Sequence, residues 1–470
     1  MAKRKKKSTR VASLGFGAKD LAGELQRPEN YLAKEEWNSA IKILLPLSEQ
    51  YPKKPRVWEL LNYASFESEN YALHQKANEG WAEAEPDDAN IAYSLASAYI
   101  VNSHPLLALQ AFRKALKLEP DHQFAEDARK TVKDLENLAD KLLLEIGLDN
   151  EEGWEIALLH EQGQAFLEEG NYKAAREVEN EVLKRRPNFF SAHNNLSLVS
   201  WLEGKTEDAI TAAQAVLEKA PENVHALSNL VQFQVIKGDE ASARSYAERL
   251  LASQAEASDG WTKKVEGLSY LRDDATVVEI FEQTEATGEM ENKGQFSAMF
   301  FHLVGVALAR LGRRDEAMTL WQKSLDNCGN YSLTQENLAD IRHTVGLRHG
   351  AWPFFWQQWL LPGVAQDFRQ VLNVTLGSKR TEQKLDKNLQ QYLDNHPDFL
   401  RKVPILLERG GPHAQDLILL IAEQLRTPEL LADIKDFALS QNGTDQLRNR
   451  AAILASQEKL LPKKMTLWVE

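Results

Sequence analysis

Pro52, Pro86 and Pro120 are spaced 34 residues apart, and Pro187 and Pro221 repeat the interval. Pro120 and Pro187 are separated by 67 residues, one short of two such intervals. A recurrence of this length constrains the fold more than any composition does. Each unit must be one supersecondary element, a helix pair, that buries its apolar face only by stacking on its neighbours, which makes the chain a solenoid. Proline fits the boundary because it ends one helix and is tolerated at the start of the next.

Aligning the units on proline exposes further markers. Residues 89–122 carry Leu95, Ala96, Tyr99, Ala108, Phe112 and Ala115. Residues 156–189 carry Gly163, Phe166, Gly170 and Ala175, and residues 190–223 carry Leu196, Gly204, Ala209 and Val216. Residues 224–257 carry Leu227, Leu230, Gly238, Ala243 and Ala247, and residues 298–331 carry Phe301, Gly305, Leu308, Gly312, Ala317 and Trp321. Small residues at Gly163, Gly305 and the alanines are expected to let paired helices approach closely. The mid-unit glycines are expected to take the left-handed conformation that ends the first helix of each pair. This set of markers resembles the tetratricopeptide repeat family over about residues 29–331. The resemblance implies an all-α fold, a right-handed αα superhelix.

The organisation expected along the chain has five parts. Residues 1–28 read as a basic, disordered leader interrupted by Pro28, and residues 29–343 as the repeat solenoid. Residues 344–383 read as an aromatic-rich junction and linker, with Trp352, Phe354, Phe355, Trp356 and Trp359 close together. The junction is expected to pack the last repeats against the C-terminal helices. Residues 384–460 read as a smaller helical-repeat domain, because DQLRNRAAIL (Asp445, Arg448, Ala451, Ala452, Leu454) resembles the second helix of HEAT or armadillo repeats. Residues 461–470 are a tail whose TLWVE has strand composition. Residues 121–147 contain neither proline nor glycine until Gly147. They form either a degenerate pair or one long helix. A break or change of curvature is expected there and again between 258 and 297.

Charge and chemistry narrow the function. The net charge is −13; residues 1–10 carry +6, leaving −19 on the rest. An acidic body repels a phosphate backbone, so nucleic acid is not the expected ligand except weakly through residues 1–10. The single cysteine, Cys328, excludes an internal disulfide and fits a reducing compartment, so the expected location is cytoplasmic and the thiol is expected to be buried and inert. No apolar run is long enough to span a bilayer. No nucleotide loop, nucleophile elbow or metal-spaced histidine set is present. No catalytic activity, metal or cofactor is expected.

The family resemblance implies that the first helix of each pair lines a concave groove through its positions 2, 5, 6, 9, 12 and 13. Among the residues at these positions, His160, Gln164, Asn194, Asn195, Leu198, Trp201, His225, Asn229 and Gln232 are the candidate ligand contacts. Asn195 and Asn229 share one register position in successive repeats. An asparagine amide offers a donor and an acceptor and suits an extended peptide backbone, although such residues also bridge repeats. Trp201 reads either as an apolar pocket for a side chain or as packing between repeats. The expected function is a non-catalytic scaffold or adaptor that binds a protein or peptide in the groove. Two alternatives are an RNA- or ribosome-associated factor using the basic tip, and a regulatory subunit of an enzyme complex.

Overall fold

The computed structural model describes residues 21–145, 147–148, 150–254, 258–287, 295–365, 367–368 and 382–464, and among these residues there is no strand. The helices come in pairs: α1 (Leu21–Leu32) with α2 (Trp37–Gln50), α3 (Pro55–Glu67) with α4 (Tyr71–Ala84), and α5 (Ala89–Val101) with α6 (Pro105–Leu118). A single long helix comes next, α7 (Ala125–Glu145). Pairing resumes with α8 (Glu151–Glu168) and α9 (Tyr172–Arg185), α10 (Phe190–Leu202) and α11 (Thr206–Lys219), and α12 (Val224–Lys237) and α13 (Glu240–Ala252). Then come α14 (Ser258–Leu271) with α15 (Asp274–Thr287), α16 (Gln295–Arg310) with α17 (Arg314–Asn327), and α18 (Ser332–Ile341). After a 3-10 turn at Trp356–Trp359 come α19 (Glu382–Asn395), a second 3-10 segment at Pro397–Lys402, α20 (Val403–Arg409), α21 (Gly411–Leu425), α22 (Pro428–Leu439) and α23 (Asp445–Gln457).

The turn inside each pair carries the period more faithfully than the glycines do. Gly170, Gly204, Gly238 and Gly312 are left-handed, with φ between +75° and +94°. At the equivalent point of other pairs Glu35, Glu69, Ser103 and Arg272 adopt φ between +56° and +63°. A side chain in this region costs roughly 1–2 kcal/mol, so the stacking of the pairs, not the local residue, dictates the turn. Side-chain caps start several helices: Asn70, Asp88, Asn171, Asn223 and Asp239 each accept an amide of the first turn.

The small residues have a sharper role than helix approach alone. A Cβ at Gly305 would lie 2.5 Å from the Trp321 indole, and one at Gly163 would lie 2.6 Å from a Glu179 carboxylate oxygen. In both pairs the glycine admits a large side chain from the second helix, sixteen residues on.

Several boundaries differ from those read in the sequence. Residues 21–28 are not leader: α1 begins at Leu21 and runs through the buried Pro28. Residues 1–20, including the basic tip, lie outside the described residues, as do 465–470 of the tail. The stretch 121–147 gives one long helix over Ala125–Glu145, and one compact unit of the chain ends at Gly153 while the second begins at Trp154. No such division falls between 258 and 297. Nor do the helices after 382 stand apart from the repeats. Within the second unit, one hydrophobic core runs from Trp201 through Tyr270, Phe301 and Trp321 to Phe354, Trp359, Phe399 and Leu454. Cys328, expected to be buried, is only half-buried; its thiol donates to Asn330, and partial burial pushes its pKa up.

Candidate peptide-binding site

The second unit contains one place where repeat helices grip an extended segment, and that segment belongs to this chain. Asn337 of α18 accepts the Trp352 amide through Oδ1 (3.0 Å) and donates to the Trp352 carbonyl through Nδ2 (3.1 Å). The same Nδ2 also donates inward to the Leu333 carbonyl (2.8 Å). One amide thus replaces a β-ladder partner for one residue of extended chain. Further contacts track the segment across earlier helices. His302 of α16 contacts the Pro353 carbonyl (3.1 Å), and Arg310 donates to the Ala351 carbonyl (3.1 Å). Tyr270 of α14 stacks on Phe354, centroids 4.1 Å apart, and meets the edge of Trp359 at 5.4 Å.

These contacts fall on groove positions. With repeats starting at 224, 258, 298 and 332, Val235 is position 12, Tyr270 and Arg310 are position 13, His302 is position 5 and Asn337 is position 6. Lys402 reaches the Val235 carbonyl near the end of α12, and Arg409 reaches the Tyr270 carbonyl near the end of α14. Cations suit these helix C-termini, where carbonyls lack intrahelical partners. The first-helix faces of α14, α16 and α18 and the end of α12 are therefore occupied by residues 351–359 together with Lys402 and Arg409. A half-open cavity of about 660 Å³ remains where Val235, Tyr270, Leu360, Phe399, Lys402 and Arg409 meet.

Electrostatics at this junction arise from burial. Desolvation pushes the His302 imidazole down to about 3 and the Arg310 guanidinium down to about 10. His302 is held neutral, with Nδ1 beside the Thr334 hydroxyl at 3.0 Å. Arg310 pairs with Asp274 at 3.5 Å, and burial outweighs that pairing and raises the Asp274 carboxyl. Such a pair fixes geometry more than it adds stability.

The candidate contacts read from the sequence occupy the earlier helices and divide into three groups. Trp201 is buried and stacks on Phe233 at 4.3 Å, so it packs between repeats and offers no open pocket. Asn194 is buried and donates to the Asn223 cap at 3.0 Å, bridging two repeats, and Asn229 is buried as well. His160 is buried against Phe189, and its Nδ1 lies 3.0 Å from both oxygens of Glu179. Asn195 is half-exposed and donates to Glu179 at 2.6 Å. Gln164, Leu198, His225 and Gln232 are also half-exposed, and His225 contacts Asp259 at 3.1 Å. The structure thus brings His160 and Asn195 together through Glu179, which sequence reading missed. Asn337 was missed too. Extending the period by one unit past 331 places it in the register of Asn195 and Asn229. Glu179 was visible as a carboxylate at an apolar register position.

Residues 160–224 and 203–259 match the family model of the tetratricopeptide repeat. These residues are tetratricopeptide repeats. A curated relative, the TPR repeat-containing protein YvcD of Bacillus subtilis (strain 168), is 25% identical over 169 residues, 34% of this chain and 34% of the relative. The match thus spans about a third of that protein's length. Among solved structures, a tetratricopeptide repeat protein from Parabacteroides merdae ATCC 43184 covers 68% of this chain and 98% of its own (12% identity, TM-score 0.28). The TPR domain of P58(IPK) covers 69% and 97% (14% identity, TM-score 0.24). The matched residues 160–259 are thus similar to a family of protein-interaction repeats. Among the described residues no helix is long and apolar enough to cross a membrane, and no cluster of three metal-ligating side chains occurs.

Proposed function

We propose that the first-helix faces of α8, α10 and α12 bind an extended segment of a partner protein. One observation carries this reading. Asn337 holds the Trp352 backbone at both its N–H and its C=O, and Asn195 occupies the same register position on α10 while remaining half-exposed. What α18 does for the chain's own segment, α10 is equipped to do for another chain. Gln164, Leu198, His225 and Gln232 flank it on neighbouring turns. The acidic body favours a neutral or basic partner segment over an acidic one.

The test is capture from a lysate of the source organism by the wild-type chain and by Asn195→Ala/Gln164→Ala, with mass spectrometry of the bound proteins. A partner lost from the variant, with helical signal and melting temperature unchanged, supports the groove. Identical partners on both proteins overturn it.

A further inference from the structure

Glu179 occupies a place that is apolar in four other pairs; in α4 the equivalent residue is Asn78, also 0% exposed but uncharged and bonded to His74. Counting four residues on from the small alanine of each second helix, Ala108 leads to Phe112, Ala209 to Ala213, Ala243 to Ala247 and Ala317 to Trp321. All four are buried. Ala175 leads instead to Glu179, which is 0% exposed. The chain thus carries apolar solutions to the same packing problem in four other pairs. Burying an ionisable group is costly, and an apolar residue of similar volume is often as stable or more so. Packing alone therefore does not account for this carboxylate. Its surroundings are built for it: Gly163 has no Cβ to collide with Oε1, and His160 and Asn195 supply two donors.

The arrangement at Asn195 parallels that at Asn337. In Asn337, one Nδ2 hydrogen is spent inward on the Leu333 carbonyl, leaving the second hydrogen and Oδ1 to hold Trp352. In Asn195, one Nδ2 hydrogen is spent inward on Glu179 at 2.6 Å. If the hydrogen anti to Oδ1 is the one spent, the second hydrogen and Oδ1 lie side by side and away from the carboxylate. They form a donor and acceptor pair matched to one residue of extended backbone. His160 Nδ1 is engaged in the same way, leaving Nε2 as the ring nitrogen turned from Glu179.

We propose that Glu179 is a positioning residue: its buried carboxylate, held on its other side by the buried His160, sets the amide of Asn195 for backbone recognition in the groove. This rests on the groove reading above. The ligand class it implies is an extended segment recognised through main-chain N–H and C=O groups at Asn195, with little dependence on the side chain there.

The experiment uses a double substitution, Gly163→Ser/Glu179→Ala, which recreates the Ser197/Ala213 pair found one repeat later. Glu179→Gln is the conservative companion, keeping the shape and one acceptor. The probe is a displayed library of random peptides selected on the wild-type chain. The expected result is a double variant that melts no lower than wild type, with a displaced Asn195 side-chain amide resonance and about tenfold weaker peptide affinity. Glu179→Gln should fall between. An unmoved Asn195 resonance, or affinity kept within about twofold while the melting temperature drops, gives Glu179 a purely structural role and overturns the proposal. Asn195→Ala separates the two readings. If it abolishes peptide binding and the Glu179 variants do not, only the positioning role fails. If it leaves binding intact, or the library yields no binder, the groove reading fails and the positioning role with it.

Discussion

Two stretches of the same repeat register meet different fates. On α14, α16 and α18 the first-helix face is covered by residues 351–359 and by Arg409, and the aromatic side chains there are among the most buried of the described residues: Trp359 is 1% exposed and Phe354 2%. On α8 and α10 the equivalent positions hold half-exposed polar groups, Gln164 and Asn195. One repeat chemistry thus serves stability at the covered face and, in the proposed reading, recognition at the half-exposed one. What separates them is whether the chain supplies its own extended segment. A segment this deeply buried is part of the core, because releasing it would expose several large aromatic rings, each contributing roughly 1.5–3 kcal/mol by burial. The covered faces are a fixed wall, and the half-exposed faces of α8 and α10 are the surface we propose for partners.

Four measurements bear on that contrast. The largest effect is expected at the covered half. Phe354→Ala removes a ring stacked on Tyr270 and should cost about 3–5 kcal/mol in chemical denaturation of the second unit. A loss under about 1 kcal/mol would mean that the segment is not core. Next is the pair of asparagines. Asn337→Ala strands the buried N–H and C=O of Trp352 and should cost roughly 2–4 kcal/mol for the two unpaired groups. Asn195→Ala strands no backbone group but removes one of the two donors to the buried Glu179, and should cost less, roughly 1–2 kcal/mol by the same measurement. Equal losses would erase the distinction between filled and open registers.

The third is a pH dependence. Burial holds His302 at about 3, against 6.5 when unfolded. The unfolded chain therefore takes up the proton first as pH falls. The stabilisation is complete above about pH 6.5 and is lost progressively toward pH 3, at a slope approaching 1.4 kcal/mol per pH unit. Denaturation midpoints measured across that window should show the slope in the wild type and lose that component in His302→Gln. An unchanged slope would remove the neutral imidazole from the junction. The smallest effect concerns the turns. Glu69→Gly and Ser103→Gly relieve left-handed side chains and should each stabilise by up to about 1 kcal/mol in thermal melts. Gly204→Ala should destabilise by about 1–2 kcal/mol.

How much was legible depended on which forces act locally. Helix pairing, the repeat interval and the left-handed turns at Gly170, Gly204, Gly238 and Gly312 could be read from residue spacing. They arise from apolar periodicity and backbone conformation within about one repeat. Trp201 illustrates the limit. Its register position fitted a groove pocket, yet its partner Phe233 lies one repeat later, and the stack between them closes the pocket. Glu179 illustrates another. Its register position marked it as out of place, but only the folded chain shows Gly163, His160 and Asn195 converging on it from two other helices.

The sequence alone determined that this chain is a stack of helix pairs, because a period of 34 with small, large and turn-forming residues in fixed register has no other way to bury its apolar faces. Tertiary structure decided which repeat faces the chain covers with its own segments. That choice depends on contacts between residues far apart in the chain, such as Lys402 on Val235 and Arg409 on Tyr270. No periodic pattern records such contacts, because each is made once, by groups whose chemistry fits only after the chain has folded back on itself.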